Sequence, residues 1–104
     1  WVTSYDITPE GYGLDRYDRR DILGGNVADN VAITERVLAG ERGAPRAITL
    51  LNAAAALYAA DAVPTIQAGV DLAAESIESG AARAKREELV SLTSRMGAME
   101  QAVA

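Results

Sequence analysis

The chain has 104 residues, of which 49% are hydrophobic, and its formal net charge is −5. This length suits one domain with a buried core, and the negative charge disfavours nucleic acid and anionic membrane surfaces as partners. Cysteine and histidine are absent, which excludes disulfides, thiolate chemistry and the commonest general base and metal ligand. Because 21 residues are alanine and none is phenylalanine, we predict closely packed helices with small side chains between them.

A strand is predicted over residues 1–9, because the side chains follow a period of two, as in a strand with one buried face, until Pro9 ends the pattern. One set of alternate positions is Trp1, Thr3, Tyr5 and Ile7. A single strand is not stable in water without a partner, so we expect its sheet to lie outside this sequence. A chain that opens within such a pattern, on Trp1 and not on Met, is expected to be a piece of a longer protein.

Residues 10–25 are predicted to form a glycine turn and then a short helical turn, with Leu14, Tyr17 and either Ile22 or Leu23 facing inward. Carboxylates recur here at spacings of three, interleaved with arginines: Asp15, Asp18, Asp21, Arg16, Arg19 and Arg20. A magnesium site would need a cleft with substrate phosphates nearby, which nothing here supplies. Charge compensation on a solvated face is the favoured interpretation.

Residues 26–104 are predicted to be a cluster of four helices joined by short connections. The first runs from about 27 to 39, the second from 47 to 60, the third from Thr65 to Gly80, and the last starts near Ala81. Asn26 and Thr65 suit N-caps, and Gly40 and Gly80 suit positions just past helix ends.

The inward faces of these helices follow from apolar spacing. The predicted stripes are Val27, Val31, Thr34 and Leu38, widened by Ile33 and Val37; Ile66, Val70, Ala73 and Ile77; and Leu89, Leu92, Met96, Met99 and Val103. The last stripe could be a seam for a partner helix, but it covers barely two heptads, so packing within the same domain is favoured. Basic residues of the last helix are followed at once by Glu87 and Glu88, which indicates a solvated face.

The segment from Ala47 to Ala60 is apolar at every position except Thr49 and Asn52. A helix that is apolar all round must be buried, so we expect neighbours on several of its sides. It is too short to span a membrane, which needs about 20 apolar residues.

Two features are candidates for binding. Gly24-Gly25-Asn26 precedes a helix and could hold an anion on free backbone N–H groups, although such a turn is far commoner as plain structure. Asn30 and Asn52 lie on largely apolar helix faces, and a buried amide must find hydrogen-bond partners. A structural clamp to a neighbouring loop or helix end is favoured for both over contact with a ligand.

The order of landmarks resembles the C-terminal end of the anthranilate phosphoribosyltransferase family over nearly the whole chain. The family's Pro-Glu-x-x-Gly-Leu turn matches Pro9, Glu10, Gly13 and Leu14, and its Gly-Gly triplet with the helix that follows matches Gly24, Gly25 and Asn30. Its Leu-x-Gly stop matches Leu38 and Gly40, and its Asn-Ala-Ala helix matches Asn52, Ala53 and Ala54. Its Ser-Gly-x-Ala helix pair matches Ser79, Gly80 and Ala82. Two positions depart from it: Asn26 stands where Asp is usual, and Val31 where Ala is usual.

Because no signal peptide or transmembrane run opens the sequence, we expect a cytoplasmic location. The resemblance implies a homodimeric enzyme of a small helical domain and a larger α/β domain. It transfers phosphoribosyl from phosphoribosyl pyrophosphate to the amino group of anthranilate, with magnesium, in tryptophan biosynthesis. Residues 1–104 would be a single, mainly α piece with one N-terminal strand, belonging to the helical cluster of the α/β domain. Its partners would be the remainder of the same enzyme, with no nucleic acid and no membrane.

The family's catalytic motifs do not occur in these residues. They are a Gly-Thr-Gly-Gly-Asp phosphate loop, a Lys-His-Gly-Asn segment, an anthranilate-contacting Arg and a magnesium-binding Asp-Glu pair. We therefore predict no catalytic, cofactor-binding or metal-binding residue in this chain, and no magnesium bound by it. The alternative is a non-enzymatic helical interaction or dimerisation module, which upstream sequence would distinguish.

Overall fold

The structure, a computed structural model, describes residues 2–103, and Val103 by its backbone only. Four helices make up most of it: α1 (Val27–Leu38), α2 (Ala44–Ala59), α3 (Ile66–Glu78) and α4 (Ala81–Val103). Two short 3-10 helices, Glu10–Tyr12 and Arg19–Ile22, precede them. The mainly helical architecture is therefore confirmed, and the short helical turn predicted within residues 10–25 is present.

The strand predicted over residues 1–9 is not formed. Residues 2–8 carry no regular secondary structure, and Trp1 lies outside the described residues. The physical reason is the missing partner, because backbone N–H and C=O groups of a strand must pair with a second strand, and residues 2–103 contain none.

Helix ends follow local hydrogen bonding. Asn26 and Thr65 cap α1 and α3 as predicted, each accepting a hydrogen bond from the backbone three residues on. After α1, Gly40 has a φ of 87° and its N–H donates to the Val37 carbonyl. Asp61 takes the equivalent place after α2, with a φ of 61°. The helix α2 begins at Ala44, three residues before the prediction, because Pro45 is pre-shaped for a first turn.

The core lies where α2 crosses α3. Leu50 is 1% exposed and contacts Val37 of α1 and Ile77 of α3 in one buried cluster. Partly buried apolar side chains surround that cluster: Leu14, Ile33, Ala73, Ala74 and Ala82. The inward stripe predicted for α3 is confirmed, since Val70 and Ile77 are buried.

Small residues allow this crossing to be close. A Cβ atom added to Gly69 would lie 2.8 Å from the Cα of Ala54, nearer than Cβ atoms approach other atoms. Ala54 itself has no exposed surface. The expectation that the alanines of α2 let a neighbouring backbone approach closely is confirmed at this point.

The helix α2 is not buried all round, contrary to the prediction. Arg46, Leu50 and Ala54 are buried on one face, whereas Ile48 and Asn52 on the opposite face are exposed. The elements described in residues 2–103 cover one side of α2 only. The apolar pattern of α2 predicts neighbours on its other sides, and these residues do not supply them.

Two other predicted faces are also corrected. On α1, the predicted members Ile33 and Val37 do face the core, whereas Val27 and Val31 are exposed, because α1 meets α2 with its C-terminal half. On α4 the predicted stripe is uncovered, with the exposed members Leu89, Leu92, Met96 and Met99. Ala82, in the first turn of α4, reaches the core, and the rest of that helix extends past it without fraying at Gly97.

Gly69→Ala is expected to destabilise the chain by about 1–3 kcal/mol, because the added methyl overlaps the α2 backbone. Gly97→Ala is the matched control: nothing lies within 4 Å of its added Cβ, so better helix propensity should stabilise by about 0.5–1 kcal/mol. Urea unfolding would measure both free energies. A free energy of unfolding that is unchanged or increased in Gly69→Ala would contradict the close crossing.

Candidate functional site

The loop before α1 is closed by side chains of the helix itself. Asn26 Oδ1 accepts from the Asp29 N–H at 2.8 Å, and Asp29 Oδ2 accepts from the Asn26 N–H at 3.1 Å. The Gly25 N–H donates to Asn30 Oδ1 at 3.0 Å, and Asn30 Nδ2 donates to the Gly25 carbonyl at 3.2 Å. These N–H groups are occupied and the Asp29 carboxylate would repel an anion, which argues against phosphate at this site.

The two glycines of that loop leave space for the side chains of Asn30 and Asp29. A Cβ atom on Gly24 would collide with Asn30 Oδ1, and one on Gly25 would collide with Asp29 Oδ2. The Gly-Gly pair therefore admits the side chains that close the loop, which is a structural role.

The two asparagines differ from each other. Asn30 makes the predicted hydrogen bonds to a neighbouring loop, although it is exposed and not buried. Asn52 is also exposed, and its Nδ2 donates to the Ile48 carbonyl of its own helix at 2.8 Å. The prediction that Asn52 clamps another element is therefore wrong for the described residues, because the face of α2 that carries it has no neighbour there.

Acidic side chains before α1 are paired with arginines. Arg20 Nη2 donates to Asp18 Oδ2 at 3.1 Å, and Arg16 makes two bonds to the Glu10 carboxylate, at 2.7 and 3.1 Å. Asp15 lies outside the 3-10 helix that contains Asp21, so the three aspartates do not form one stripe. Residues 2–103 hold no group of three or more His, Cys, Asp or Glu side chains arranged for a metal ion. The residues present thus do not fit magnesium.

Arg46 is a buried charge that the sequence analysis did not single out. It is 8% exposed, and its Nη2 donates to Glu78 Oε1 at 3.3 Å. This contact joins the first turn of α2 to the last turn of α3, where a cation is favoured by the helix dipole. Its Nε has no hydrogen-bond partner within the described residues. The available signal was a single charge in the first turn of an apolar helix, four residues before Leu50.

An open apolar depression lies along α2, and we call it the α2 groove. It consists of two adjoining cavities of about 390 and 420 Å³ that share Val37, Leu38 and Thr49. The cavity of about 390 Å³ lies beside the N-terminal segment, and Ile22 and Ile48 are among its lining residues. The cavity of about 420 Å³ lies beside α3, and Leu57, Leu72 and Ile77 are among its lining residues.

The α2 groove offers little to orient a charged ligand. Its hydroxyl groups include Thr34, which donates to the Asn30 carbonyl at 3.0 Å, and Thr49, which donates to the Pro45 carbonyl at 2.7 Å. No side chain that lines the two cavities is charged. Small-molecule sites combine apolar walls with a few convergent polar groups, so the groove does not fit a phosphorylated substrate.

Comparison with known proteins gives a family match. The sequence model described as "Glycosyl transferase family, a/b domain" matches residues 1–83. That range contains α1, α2, α3 and every residue that lines the α2 groove.

Relatives are named anthranilate phosphoribosyltransferase. The protein of Symbiobacterium thermophilum is 50% identical over 98 residues, covering 94% of this chain and 29% of that protein. That of Lacticaseibacillus paracasei is 51% identical over 81 residues, 78% of this chain and 24% of its own length. The protein of Moorella thermoacetica is 47% identical over 89 residues, which cover 86% of this chain and 26% of that protein.

The chain thus spans under a third of the length of these relatives. No solved structure matches it. Among the helices of the described residues, none is both long enough and apolar enough to cross a membrane.

Asn30→Ala is expected to destabilise the chain by about 1 kcal/mol, because the Gly25 N–H and C=O both lose their partner. Asn52→Ala serves as control: it removes an amide that bonds within its own helix, and alanine is the better helix former. Urea unfolding of both variants is the measurement. An equal loss of stability at the two positions would contradict a specific role for Asn30.

The pKa of Glu10 is expected below its ordinary value, because Arg16 donates hydrogen bonds to the carboxylate. A lowered folded-state pKa means that the pair stabilises the fold above the unfolded-state pKa and that this contribution is lost as pH falls through the folded-state pKa. Carbon-detected NMR titration of Glu10 measures it, and Arg16→Gln should return the pKa towards normal. An unchanged titration in Arg16→Gln would show that the pair does not form in solution.

Proposed function

The chain belongs to the glycosyl transferase family described by its a/b domain, and we propose that it is the C-terminal part of an anthranilate phosphoribosyltransferase. The observation that carries the proposal is the 50% identity over 94% of the chain to a protein of that name. The intact enzyme would transfer phosphoribosyl from phosphoribosyl pyrophosphate to the amino group of anthranilate, a step of tryptophan biosynthesis.

Within that enzyme the role proposed for these residues is structural. The sequence contains no histidine and no Gly-Thr-Gly-Gly-Asp loop. The Gly25 and Asn26 N–H groups before α1 donate to the side chains of Asn30 and Asp29, and the α2 groove lacks charged lining residues. Phosphoribosyl transfer needs donors arranged around the pyrophosphate leaving group, and neither the loop before α1 nor the α2 groove offers such an arrangement within the described residues.

The segment 2–8 is proposed to become a strand of the enzyme's sheet. Its alternating pattern suits one buried face, and Val2 and Tyr5 are exposed in the described chain. Pairing with a strand outside this sequence would satisfy its backbone groups. This part of the proposal is supported by the family's description as an a/b domain.

Magnesium, a homodimer and a cytoplasmic location are further parts of the proposal, and all three are supported by the resemblance to the family. The magnesium ligands would lie outside this chain, since the described residues offer no suitable acidic group. The chain's own contribution would be to complete and stabilise the α/β domain.

A non-enzymatic interaction or dimerisation module is the second candidate. It is favoured by the uncovered stripe of α4, where Leu89, Met96 and Met99 are 59%, 57% and 68% exposed. Monomeric proteins rarely expose a large contiguous apolar patch. This candidate does not explain the 50% identity to a named enzyme, and we therefore place it second.

The chain alone is expected to be inactive, and the longer polypeptide that contains it active. Anthranilate fluorescence, followed with phosphoribosyl pyrophosphate and magnesium present, measures both. Turnover by the purified chain above a heat-treated control would contradict the structural role. Failure of the longer polypeptide to consume anthranilate would contradict the enzyme assignment.

A further inference from the structure

A small cavity between α1 and α2 is lined by three arginines, and we call it the arginine cavity. It has a volume of about 30 Å³ and lies where the C-terminal end of α1 meets the first turn of α2. Arg36, Arg42 and Arg46 line it together with Glu41 and apolar side chains. Because one water molecule needs at least about 10–15 Å³, two oxygen atoms of a ligand fit inside this cavity.

The arginine cavity has an excess of positive charge in a chain whose net charge is −5. Glu41 Oε2 lies 3.9 Å from Arg36 Nε, which is beyond hydrogen-bond distance. Glu78 Oε1 accepts a hydrogen bond from Arg46 Nη2 at 3.3 Å. Arg42 is exposed and belongs to no ion pair among residues 2–103. Three arginines are thus accompanied by two carboxylates, and one positive charge is left over.

Arg46 has a hydrogen-bond donor that the described residues do not use. Its side chain is 9% exposed, and its Nε has no partner within residues 2–103. A buried charged group needs acceptors for its hydrogen-bond donors as well as a counter-charge. Glu78 supplies the counter-charge through Nη2, so the Nε–H of Arg46 still requires an acceptor oxygen.

The first turn of α2 favours negative charge at the same place. This helix has 16 residues, begins at Ala44 after Gly43, and has no side-chain cap, in contrast to α1 and α3. The N–H groups of an uncapped first turn and the positive end of the helix dipole both attract an anion. Pro45 and Arg46 belong to that turn and line the arginine cavity.

We propose that the arginine cavity binds a phosphate-class oxyanion, with Arg46 as its buried donor and with Arg36 and Arg42 contacting the oxygens that remain outside. A carboxylate has two oxygens and one charge, which a single guanidinium group pairs. Three guanidinium groups beside a helix N-terminus match an anion with three or more acceptor oxygens. The proposal does not rest on the proposed function, because it uses only residues of this chain.

Nitrogen-15 NMR of the arginine side chains, in the longer polypeptide that contains the chain, tests this proposal. Inorganic phosphate is the probe, and it replaces chloride at constant ionic strength so that screening does not change. Arg42→Gln and Arg95→Gln each remove one Nε signal and thereby assign both signals. Arg95 is the matched reference, because it is an exposed arginine of α4 that does not line the cavity.

The Nε signal of Arg42 should shift saturably with phosphate, whereas that of Arg95 should not. Arg36→Gln should raise the phosphate dissociation constant by about tenfold or more, because a charge-assisted hydrogen bond is lost. Arg95→Gln, the control with the same change in charge, should alter it by less than about twofold, because distant exposed charges are screened. The absence of a saturable shift at Arg42, or equal dissociation constants in the two variants, would overturn the proposal.

Arg46→Lys tests the buried donor, because it keeps a positive charge beside Glu78 but removes the Nε–H. It should weaken phosphate binding by about tenfold or more, since an ammonium group lacks the guanidinium fork. Wild-type affinity in Arg46→Lys would overturn the proposal. If Arg46→Lys fails to fold, Arg36→Gln at its exposed position decides the outcome.

Acetate tests which anion the cavity selects. A dissociation constant for acetate within about twofold of that for phosphate would overturn the assignment to phosphate, because a carboxylate offers only two oxygens. Anthranilate consumption enters none of these measurements, so this proposal and the proposed function fail separately.

Discussion

The close crossing of α2 and α3 at Ala54 and Gly69 is the contact on which the rest of the structure depends. Only because neither residue carries a side chain larger than a methyl can the two backbones approach to the distance seen there. That approach brings Leu50 against Val37 and Ile77, and Leu14, Ile33 and Ala82 pack against this cluster. A larger side chain at the crossing would separate the helices and open the cluster at once.

The same small residues limit how much the chain can bury by itself. Leu50 is the one large side chain among the described residues that is less than 2% exposed, and a buried alanine contributes little transfer free energy compared with a buried leucine. Alanine-rich helices therefore need several neighbours each to become stable. The exposed face of α2 and the open groove beside it are the places where such neighbours are missing from residues 2–103.

The polar groups of the chain are largely engaged in its own architecture. Asn26, Asp29 and Asn30 close the loop before α1, Arg46 joins α2 to α3 through Glu78, and Arg86 of α4 contacts Glu35 of α1 at 2.7 Å. The atoms that make these contacts are not free to orient a substrate.

The sequence by itself determined where α1 and α3 begin and end, since a cap such as Asn26, Thr65, Gly40 or Gly80 acts on backbone groups within about four residues. It also determined the family, through the order of those landmarks. It did not determine which helix faces are covered: all four of Val27, Val31, Ile33 and Val37 were expected inside, but only Ile33 and Val37 pack in the core. The burial of Arg46 and the exposure of Asn52 were likewise decided by tertiary structure. A face is buried only by elements distant in sequence, and for α2 and α4 the described chain does not contain enough of them.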